Sequence, residues 1–422
     1  MTIHMKRSVN GALFSLCCIL LLLIAACGND NPTRSAQNAP LISSPSSENR
    51  AMPSPAFFQS EIEKQLAEMT LEEKVGQVFM IGIDGTAYNV AMEKQLKSFP
   101  AGGVILFSRN VTSVPQLAQL TNALKENSTS PVPLVIGTDE EGGPVSRLPD
   151  EIIDFPSAAE LGNSPLSKTT AIGEATGQTL LQLGIDLDFA PILDVNSNPT
   201  NPVIGDRSFQ SNPTKAAEHA LAFAEGLESA DVISVGKHFP GHGDTSVDSH
   251  LQLPVVQKSM EQLSNLELIP FKKAIQAKLP ALMVAHLLVP AIDETYPSSL
   301  SYATIQELLR DEMGYEGVIV TDDLTMGAIQ DNYSTKDAAL LAFKAGSDLL
   351  LICHGESTAE ESYKQLLQAV KKGEVTEERL DESVRRLLAL KQTYQVTKKA
   401  LPMPDVQQLN QIRTNALKSD SQ

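Results

Sequence analysis

Residues 232–250 read Val-Ile-Ser-Val-Gly-Lys-His-Phe-Pro-Gly-His-Gly-Asp-Thr-Ser-Val-Asp-Ser-His. The apolar run Val232–Val235 is typical of a buried strand. Pro240, Gly241 and Gly243 break both helical and strand periodicity, so the run must end in a loop. Three of the seven histidines of the chain fall in this stretch. A buried strand that ends in ionisable side chains is where α/β proteins keep their chemistry.

Seven other apolar, β-branched runs alternate with amphipathic segments along the chain. The eight runs are Gln77–Ile83, Gly103–Phe107, Leu134–Thr138, Leu187–Ile192, Val232–Gly236, Ala281–Ala285, Gly317–Thr321 and Asp348–Ile352. Continuously apolar strands that alternate with helices indicate a parallel sheet covered on both faces. Eight such units predict an α/β fold, a (β/α)8 TIM-type barrel that forms a single catalytic domain. A doubly wound open sheet is the alternative.

The first 26 residues are typical of a secretion signal. Lys6 and Arg7 give a basic start, and the apolar core Ala12–Ile24 is too short to span a membrane comfortably. The sequence Ile24-Ala-Ala-Cys27 resembles a bacterial lipobox, in which the cysteine is lipidated. We therefore expect a protein anchored through Cys27 to the outer face of the cell membrane. An ordinary signal peptide and an uncleaved anchor are the alternatives.

The remaining chain is divided by its composition. Residues 27–56 are rich in Ser, Pro, Asn and Ala, which predicts a flexible tether. Residues 57–396 are predicted to form the barrel domain, because no second linker interrupts them. Two helices, Ala359–Lys371 and Glu377–Gln392, are expected after the last strand. Residues 397–422 are predicted to be a polar C-terminal tail.

Charge and cysteine content limit the partners. The formal net charge is −18, and it becomes −20 (31 basic against 51 acidic residues) without residues 1–26. Such a surface repels nucleic acid and anionic lipid headgroups, so we expect no nucleic-acid partner and a tether made by lipid. Apart from Cys27, only Cys353 follows the signal, which excludes a disulfide framework and predicts a buried thiol. We expect a monomer.

Ionisable residues follow six of the eight predicted strands. In chain order they are Asp139-Glu-Glu, Asp194, Lys237-His238, His286, Asp322-Asp323 and His354. The active site of a barrel lies at the C-terminal ends of its strands, so these groups predict one site. The chain has no Gly-x-Gly-x-x-Gly motif, Walker loop or Gly-x-Ser-x-Gly elbow, which leaves nucleotide and acyl-serine chemistry without support.

Asp248 and His250, in the loop after the fifth predicted strand, are a second indication of catalysis. A carboxylate beside an imidazole fixes its tautomer and raises its pKa, which makes a proton donor usable near neutral pH. For His242 and His286 a loop-ordering or pocket-lining position is expected. His354 is a candidate for lining the pocket, and its role is left open.

Five motifs occur in order and carry a family resemblance. They are Met69-Thr-Leu-Glu-Glu-Lys-Val-Gly-Gln77, Asp139-Glu-Glu-Gly-Gly143, Gly205-Asp-Arg-Ser-Phe209, the loop Lys237–His250 and Thr321-Asp-Asp-Leu-Thr-Met326. Together they resemble glycoside hydrolase family 3, in its bacterial β-N-acetylglucosaminidase branch. The segment Arg379-Leu-Asp-Glu-Ser-Val-Arg-Arg386 is also similar to that family. The resemblance covers residues 60–395, and its most specific part is Lys-His-Phe-Pro-Gly-His-Gly-Asp.

The resemblance implies roles for individual residues. Asp322 matches the family nucleophile, and His250 matches the acid/base, with Asp248 as its partner. The residues that match the sugar-holding positions are Asp139, Arg147, Arg207, Lys237 and His238. Pro144 stands where the family motif usually has Arg, and Arg147 stays in register. No metal or organic cofactor is implied.

Retaining glycoside cleavage needs a nucleophilic carboxylate on one face of the sugar and a proton donor on the other. Asp322 beside Lys237 or Arg207 would stay ionised, and His250 charged by Asp248 would protonate the leaving oxygen. The expected function is therefore an exo-β-N-acetylglucosaminidase that acts on N-acetylglucosamine-containing cell-wall fragments. A histidine donor puts no second anion near the leaving group, which would suit a leaving sugar that bears a carboxylate.

Four alternatives remain at this point. Phosphate could replace water as the acceptor, which would make the protein a phosphorylase. Asp322 and Asp323 could serve substrate-assisted cleavage, although consecutive residues on a strand point to opposite faces. His238, His242, His250 and Asp244 could form a zinc site of a barrel metallohydrolase. The protein could also bind cell-wall fragments without cleaving them.

Overall fold

The computed structural model describes residues 55–245, 247–249, 251–355 and 357–419. The predicted signal peptide, Cys27 and the tether as far as residue 54 lie outside the described residues, as does His250. Within the described ranges, none of the helices has the length and apolar character that a membrane span requires.

Eight parallel strands form the centre of the molecule. Their bounds are β1 (Phe79–Gly82), β2 (Gly103–Ile105), β3 (Val135–Thr138), β4 (Leu187–Asp188), β5 (Ile233–Phe239), β6 (Ala281–Val284), β7 (Val318–Thr321) and β8 (Leu350–Ile352). Seven of the predicted apolar runs contain one strand each, and the run Val232–Gly236 overlaps β5, which continues to Phe239. All strand residues are buried, as expected for strands covered on both faces.

The strands close into a ring, which confirms the (β/α)8 barrel. The hydrogen-bonded order is β7-β6-β5-β4-β3-β2-β1-β8. β1 pairs with β2 and with β8, with Met80 opposite Gly103 on one side and Leu351 on the other. A parallel bridge between Val320 and Leu349 joins the two ends of this order. An open doubly wound sheet would leave two edges, so that alternative is wrong.

Fourteen α-helices surround the barrel or cover its ends in the described part of the chain. They are α1 (Pro55–Glu68), α2 (Leu71–Gln77), α3 (Val90–Ser98), α4 (Val114–Asn127), α5 (Ala158–Leu161), α6 (Leu166–Gln182), α7 (Pro213–Ser229), α8 (Met260–Asn265), α9 (Leu268–Gln276), α10 (Gly327–Gln330), α11 (Thr335–Ala345), α12 (Thr358–Lys371), α13 (Glu377–Thr393) and α14 (Val406–Leu417). The segment Ala303–Glu312 is a π-type helix between β6 and β7. Short 3₁₀ turns occur at Ser108–Asn110, Gly205–Arg207 and Ser298–Leu300.

The motif at residues 69–77 serves the fold. Thr70 and Glu73 form a capping box at the start of α2, in which each side chain accepts the backbone N–H of the other residue. At the end of α2, the Gln77 side chain donates to Ser130 Oγ at 2.8 Å and accepts from Lys391 Nζ at 2.7 Å. This motif therefore closes the N-terminal end of the barrel, opposite the predicted site.

The segment at residues 379–386 also serves the fold. Its side chains converge on Asp348, which lies just before β8 and has no exposed side-chain surface. Ser383 Oγ donates to Asp348 Oδ1 at 2.6 Å, and Arg386 Nη1 donates to the same oxygen at 3.0 Å. Arg310 pairs with the other carboxylate oxygen. A buried carboxylate that is paired on both oxygens ties α13 and the π-type helix to the barrel.

The polar tail predicted at residues 397–422 differs from the structure. α14 packs against α6, and its residues Leu409, Arg413 and Ala416 are buried. Asp405 caps the helix by accepting the backbone N–H groups of Gln407 and Gln408. The apolar stripe of this helix is narrow and includes an arginine, so its sequence gives a weak periodic signal.

Candidate active site

A cavity of about 390 Å3 opens at the C-terminal ends of the strands. It brings together six of the predicted site residues, namely Asp139, Arg147, Arg207, Lys237, His238 and Asp322. Asp248 is half-buried on the loop after β5, next to Ser249, which lines the cavity. His250 lies outside the described residues.

Lys237, at the end of β5, is the centre of a charged cluster. Its Nζ is 2.6 Å from Asp139 Oδ1 and 2.7 Å from Glu141 Oε1, and its side chain is 2% exposed. Glu141 also accepts two hydrogen bonds of 2.8 Å from Arg207, through Nε and Nη2. Burial alone would raise the pKa of Glu141, but the Lys237 and Arg207 cations outweigh it and hold that pKa well below its usual range. The cluster therefore holds charged side chains from β5 and from the segments after β3 and β4 in fixed positions around the pocket.

Asp194, beyond the end of β4, positions two histidines. Its Oδ2 is 2.7 Å from His238 Nδ1 and accepts the His238 backbone N–H at 3.2 Å. Its Oδ1 accepts the His242 backbone N–H at 2.6 Å. Burial raises the pKa of Asp194, but His238 and these hydrogen bonds lower it by more than burial raises it. The pKa of Asp194 therefore lies below its usual range. One carboxylate thus orients the pocket-lining His238 and fixes the start of the following loop.

His242 is buried in that loop with both ring nitrogens occupied. The Thr245 hydroxyl donates its proton to the His242 carbonyl. Its oxygen therefore accepts the proton of the His242 ring nitrogen Nδ1, at 2.9 Å. Nε2 then accepts from the Ser249 hydroxyl at 3.1 Å. Burial and the neighbouring His238 lower the pKa of His242 to about 4. The predicted loop-ordering position is confirmed, and a neutral ring ties residue 242 to the segment around Asp248.

Close backbone packing holds the same loop against the end of the fourth strand. A Cβ at Gly243 would lie 1.7 Å from the carbonyl oxygen of Val195, so only glycine fits there. The Ser249 carbonyl accepts the backbone N–H of Ala328 at the start of α10. The loop is therefore fixed on one side to β4 and on the other to the segment that follows Asp322.

Asp322 and Asp323 both line the cavity, which corrects the expectation that one of them faces away. β7 ends at Thr321, so strand alternation does not apply to either aspartate. The backbone N–H of Asp323 donates to Asp322 Oδ1 at 2.8 Å. Asp323 itself accepts from Thr325 and from the Cys353 backbone N–H at 3.0 Å. Burial raises the pKa of Asp323, but its His354 and Thr325 contacts lower it below the usual range, so it is poorly suited to donate a proton.

His354 lines the cavity on the side of β8. Its Nε2 lies 3.2 Å from Arg109 Nη1, and its Nδ1 lies 3.1 Å from Asp323 Oδ2. Because an arginine can only donate, Nε2 accepts and Nδ1 carries the proton. His286 is buried beneath, between Ser299 Oγ and the Asp323 carbonyl. Both imidazoles therefore hydrogen-bond to Asp323 and help to hold it in place.

Two of the four side chains of the zinc alternative, those of His242 and Asp244, are engaged with other groups. Both ring nitrogens of His242 are hydrogen-bonded, and Asp244 pairs with Lys258 Nζ at 3.1 Å. The described residues contain no group of three or more His, Cys, Asp or Glu side chains arranged to hold a metal ion.

The sequence reasoning missed Ser249 as a member of the site, and it gave no role to Glu141 or Asp194. Glu141 and Asp194 do stand in the polar runs that follow β3 and β4, which is a signal for membership but not for role. Which cation each member of Asp139-Glu-Glu faces depends on the path of the chain through the turn at Gly142 and Gly143, where φ is +79° and +54°.

A half-buried carboxylate, cations and paired carboxylates around one pocket at the open end of a (β/α)8 barrel define the class as a barrel glycosidase. Residues 70–390 match the sequence profile described as "Glycosyl hydrolase family 3 N terminal domain". The chain belongs to glycosyl hydrolase family 3.

Individual relatives agree with this assignment. A "Beta-hexosaminidase A" of Pseudoalteromonas piscicida is 38% identical over 330 residues, 71% of this chain and 54% of that protein, so the chain spans about half of its length. A "Beta-hexosaminidase" of Nitrosomonas eutropha is 37% identical over 289 residues, 67% of this chain and 82% of the relative. The solved glycoside hydrolase family 3 β-N-acetylglucosaminidase from Paenibacillus sp. has a TM-score of 0.77 at 38% identity and covers 82% of this chain and 68% of that one.

Proposed function

We propose that this chain is a retaining exo-β-N-acetylglucosaminidase, which removes terminal non-reducing N-acetyl-β-D-hexosamine residues through a covalent glycosyl-aspartate intermediate. The observation that carries the proposal is the pocket in which Asp322 meets the cluster of Asp139, Lys237 and Arg207. The names of the relatives support the choice of sugar.

Asp322 is the nucleophile in this proposal. Its carboxylate attacks C1 of the sugar while the bond from C1 to the leaving oxygen breaks. The Asp323 backbone N–H donates to Asp322 Oδ1 at 2.8 Å, which helps to orient the carboxylate. Fixed positive charge at Lys237 and Arg207 favours the ionised form of a nearby carboxylate.

His250, charged by Asp248, donates the proton that the leaving oxygen takes up. In the second step it removes a proton from water, the water oxygen attacks C1, and Asp322 leaves as a carboxylate. The anchoring of Ser249 to His242 and Ala328 supports this assignment, because it fixes the segment between the two members of the pair.

The sugar is held by Asp139, Arg147, Arg207, Lys237 and His238. Carboxylate acceptors and guanidinium, ammonium and imidazole donors are the groups that hydrogen-bond hydroxyl and acetamido groups. Their mutual contacts pre-orient these donors and acceptors, so little ordering remains when the sugar binds.

The cellular setting extends the proposal. Residues 1–26 act as a signal peptide, Cys27 carries lipid, and the barrel works as a monomer outside the cytoplasmic membrane on peptidoglycan fragments. A leaving sugar with a carboxylate, such as N-acetylmuramic acid, would be repelled by a glutamate donor but not by His250. A His250→Glu variant should therefore lose more activity on muramyl than on neutral aryl glycosides, and an unchanged preference would contradict the idea.

The experiment for the activity is release of p-nitrophenol from its N-acetyl-β-D-glucosaminide by the wild type, Asp322→Asn and His250→Ala, each with EDTA and with phosphate. We expect activity that resists EDTA and collapses in both variants. Stimulation by phosphate would indicate a phosphorylase. Loss with EDTA, or indifference to Asp322, would reject the two-residue mechanism.

A further inference from the structure

The C-terminal helix α14 is hydrogen-bonded to the loop that follows β3. We call this loop, residues 139–157, the β3 loop. The Asn410 side chain donates to the Glu151 carbonyl and accepts the Ile153 backbone N–H, both at 2.8 Å. The amide thus pairs with the loop backbone as a neighbouring strand would. This loop supplies Asp139, Glu141 and Arg147 to the pocket.

Arg413 lies one turn further along α14 and has no exposed side-chain surface. Its Nε donates to the Ile153 carbonyl at 2.5 Å, and its guanidinium carbon lies 3.7 Å from the centre of the Phe155 ring. Neither terminal nitrogen has a hydrogen-bond partner within the described part of the chain. A buried guanidinium in this state needs a counter-charge.

Glu140 supplies the counter-charge. Its Oε1 is 3.6 Å from Arg413 Nη2, and its side chain is 1% exposed. Its Oε2 accepts from Ser146 Oγ at 2.7 Å and from the Arg147 backbone N–H at 2.9 Å. Burial raises the pKa of Glu140, and Arg413 counteracts that shift. The carboxylate that fixes the backbone at Arg147 therefore depends on a cation from α14.

The connection reaches the sugar-holding groups from both sides of Glu140. Asp139 and Glu141 are its direct neighbours and both contact Lys237. The Glu140 backbone N–H donates to Asp188 Oδ1 at 2.8 Å, which fixes its main chain to β4. A shift of the Glu140 side chain would therefore displace Arg147 before it displaces the others.

We propose that Arg413 is a positioning residue for sugar binding, which acts through Glu140 on the β3 loop and places Arg147 in the pocket. Arg413 lies beyond residues 70–390, the part that matches the family profile. The inference rests on the proposed hydrolysis of N-acetylglucosaminides. It makes α14 a part of the substrate-binding unit.

The test compares Arg413→Met with Leu409→Ala, a matched control on the same helix that removes buried packing and leaves the hydrogen bonds of Asn410 and Arg413 to the β3 loop in place. Both variants should lower Tm. Only Arg413→Met should raise KM, by about tenfold with kcat within about threefold, because it displaces a binding group and spares the reacting ones. The Kd of N-acetylglucosamine, measured by calorimetry, should rise in parallel.

Two further variants keep the result decisive. Glu140→Gln combined with Arg413→Met should recover most of the lost affinity, since Gln still accepts from Ser146 and Arg147 while the unpaired charge is gone. Arg413→Lys should fold and show a smaller rise in KM if Arg413→Met does not fold. Equal KM in Arg413→Met and Leu409→Ala would overturn the inference, whereas a wild type without hydrolysis would overturn the proposed function instead.

Discussion

Two walls of the same pocket are held in opposite ways. The loop after β5, which we call the β5 loop and describe at residues 240–245 and 247–249, is fixed from within the barrel by Asp194, which binds the backbone of His242 and the ring of His238. The β3 loop is fixed from outside by α14, through Asn410 and Arg413. The β5 loop therefore takes its support from the segment that follows the neighbouring strand β4, and the β3 loop takes its support from a helix about 260 residues away in sequence.

The difference shows that a pocket wall can lie inside the residues that match the family profile while its support lies beyond them. Asp194 and His242 both fall within residues 70–390, and Arg413 does not. Loops at the C-terminal ends of barrel strands carry the variation in substrate choice. We expect supports of the second kind to differ more among relatives than supports of the first kind.

The largest effect should come from Asp322, which lies between the two walls. Asp322→Asn removes the attacking anion, and kcat should fall by roughly 10⁴-fold or more. Both walls keep their hydrogen bonds, so calorimetry should give a Kd for N-acetylglucosamine within about threefold of the wild type. A 2-fluoro sugar should label wild-type Asp322 covalently, and labelling elsewhere would contradict the retaining mechanism.

A smaller effect is expected when the inner support is removed. Asp194→Asn offers one acceptor where three donors converge, so stability should fall by about 2–4 kcal/mol. The ring of His238 loses its orientation, and kcat/KM should fall about a hundredfold. Asp244→Asn is the matched control on the same loop, because Asp244 is half-buried, pairs with Lys258 and does not line the cavity, so its effect should be about twofold at most. Equal losses in both variants would reject a special role for Asp194.

The β5 loop should also give stability a pH dependence. The pKa of His242, about 4 in the folded protein, lies below the value of about 6.5 for an unfolded chain. Between these values only the unfolded chain binds the proton, so the stability is present above pH 6.5 and is lost toward pH 4, by roughly 3 kcal/mol at most. Urea unfolding of the wild type and His242→Asn at pH 7 and pH 4.5 measures this. The difference in unfolding free energy between the two proteins should narrow at pH 4.5, and a constant difference would place the titration elsewhere, for example on Asp194.

The smallest effect expected is the coupling between the two supports. Asp194 and Arg413 share no partner among the described contacts, so their effects on the free energy of unfolding should add within about 0.5 kcal/mol. Chemical unfolding of Asp194→Asn, Arg413→Met and the double variant gives the coupling directly. A larger coupling would mean that the two walls form a single cooperative unit, against the comparison drawn above.

The sequence was sufficient for the barrel because the strands are apolar on both faces. Runs such as Gly317–Thr321 have no polar alternation, and each of the eight coincides with a strand of the ring over at least part of its length. The exact ends of the strands were harder to predict from the sequence. β4 is assigned only two residues, Leu187–Asp188, where the apolar pattern predicts six, and β5 extends to Phe239, beyond the predicted Gly236.

The site was predictable at the level of membership, because ionisable residues after strands have one place to gather. Support was harder to predict. Asp194 and His242 differ from neighbouring polar residues only in which backbone N–H groups they meet. α14 was missed because its buried positions are Leu409, Arg413 and Ala416, which mix one large apolar residue with a charged and a small one. Arg413 becomes recognisable only when Glu140 is seen beneath it.

The buried thiol of Cys353 gives the molecule a built-in unfolding probe. It is 1% exposed, and burial raises its pKa well above the usual range, so thiol reagents should not react with the folded barrel. A chain that starts at residue 28 has no other cysteine. The rate at which iodoacetamide alkylates it would then measure how often the barrel opens at β8, under conditions in which the folded state dominates.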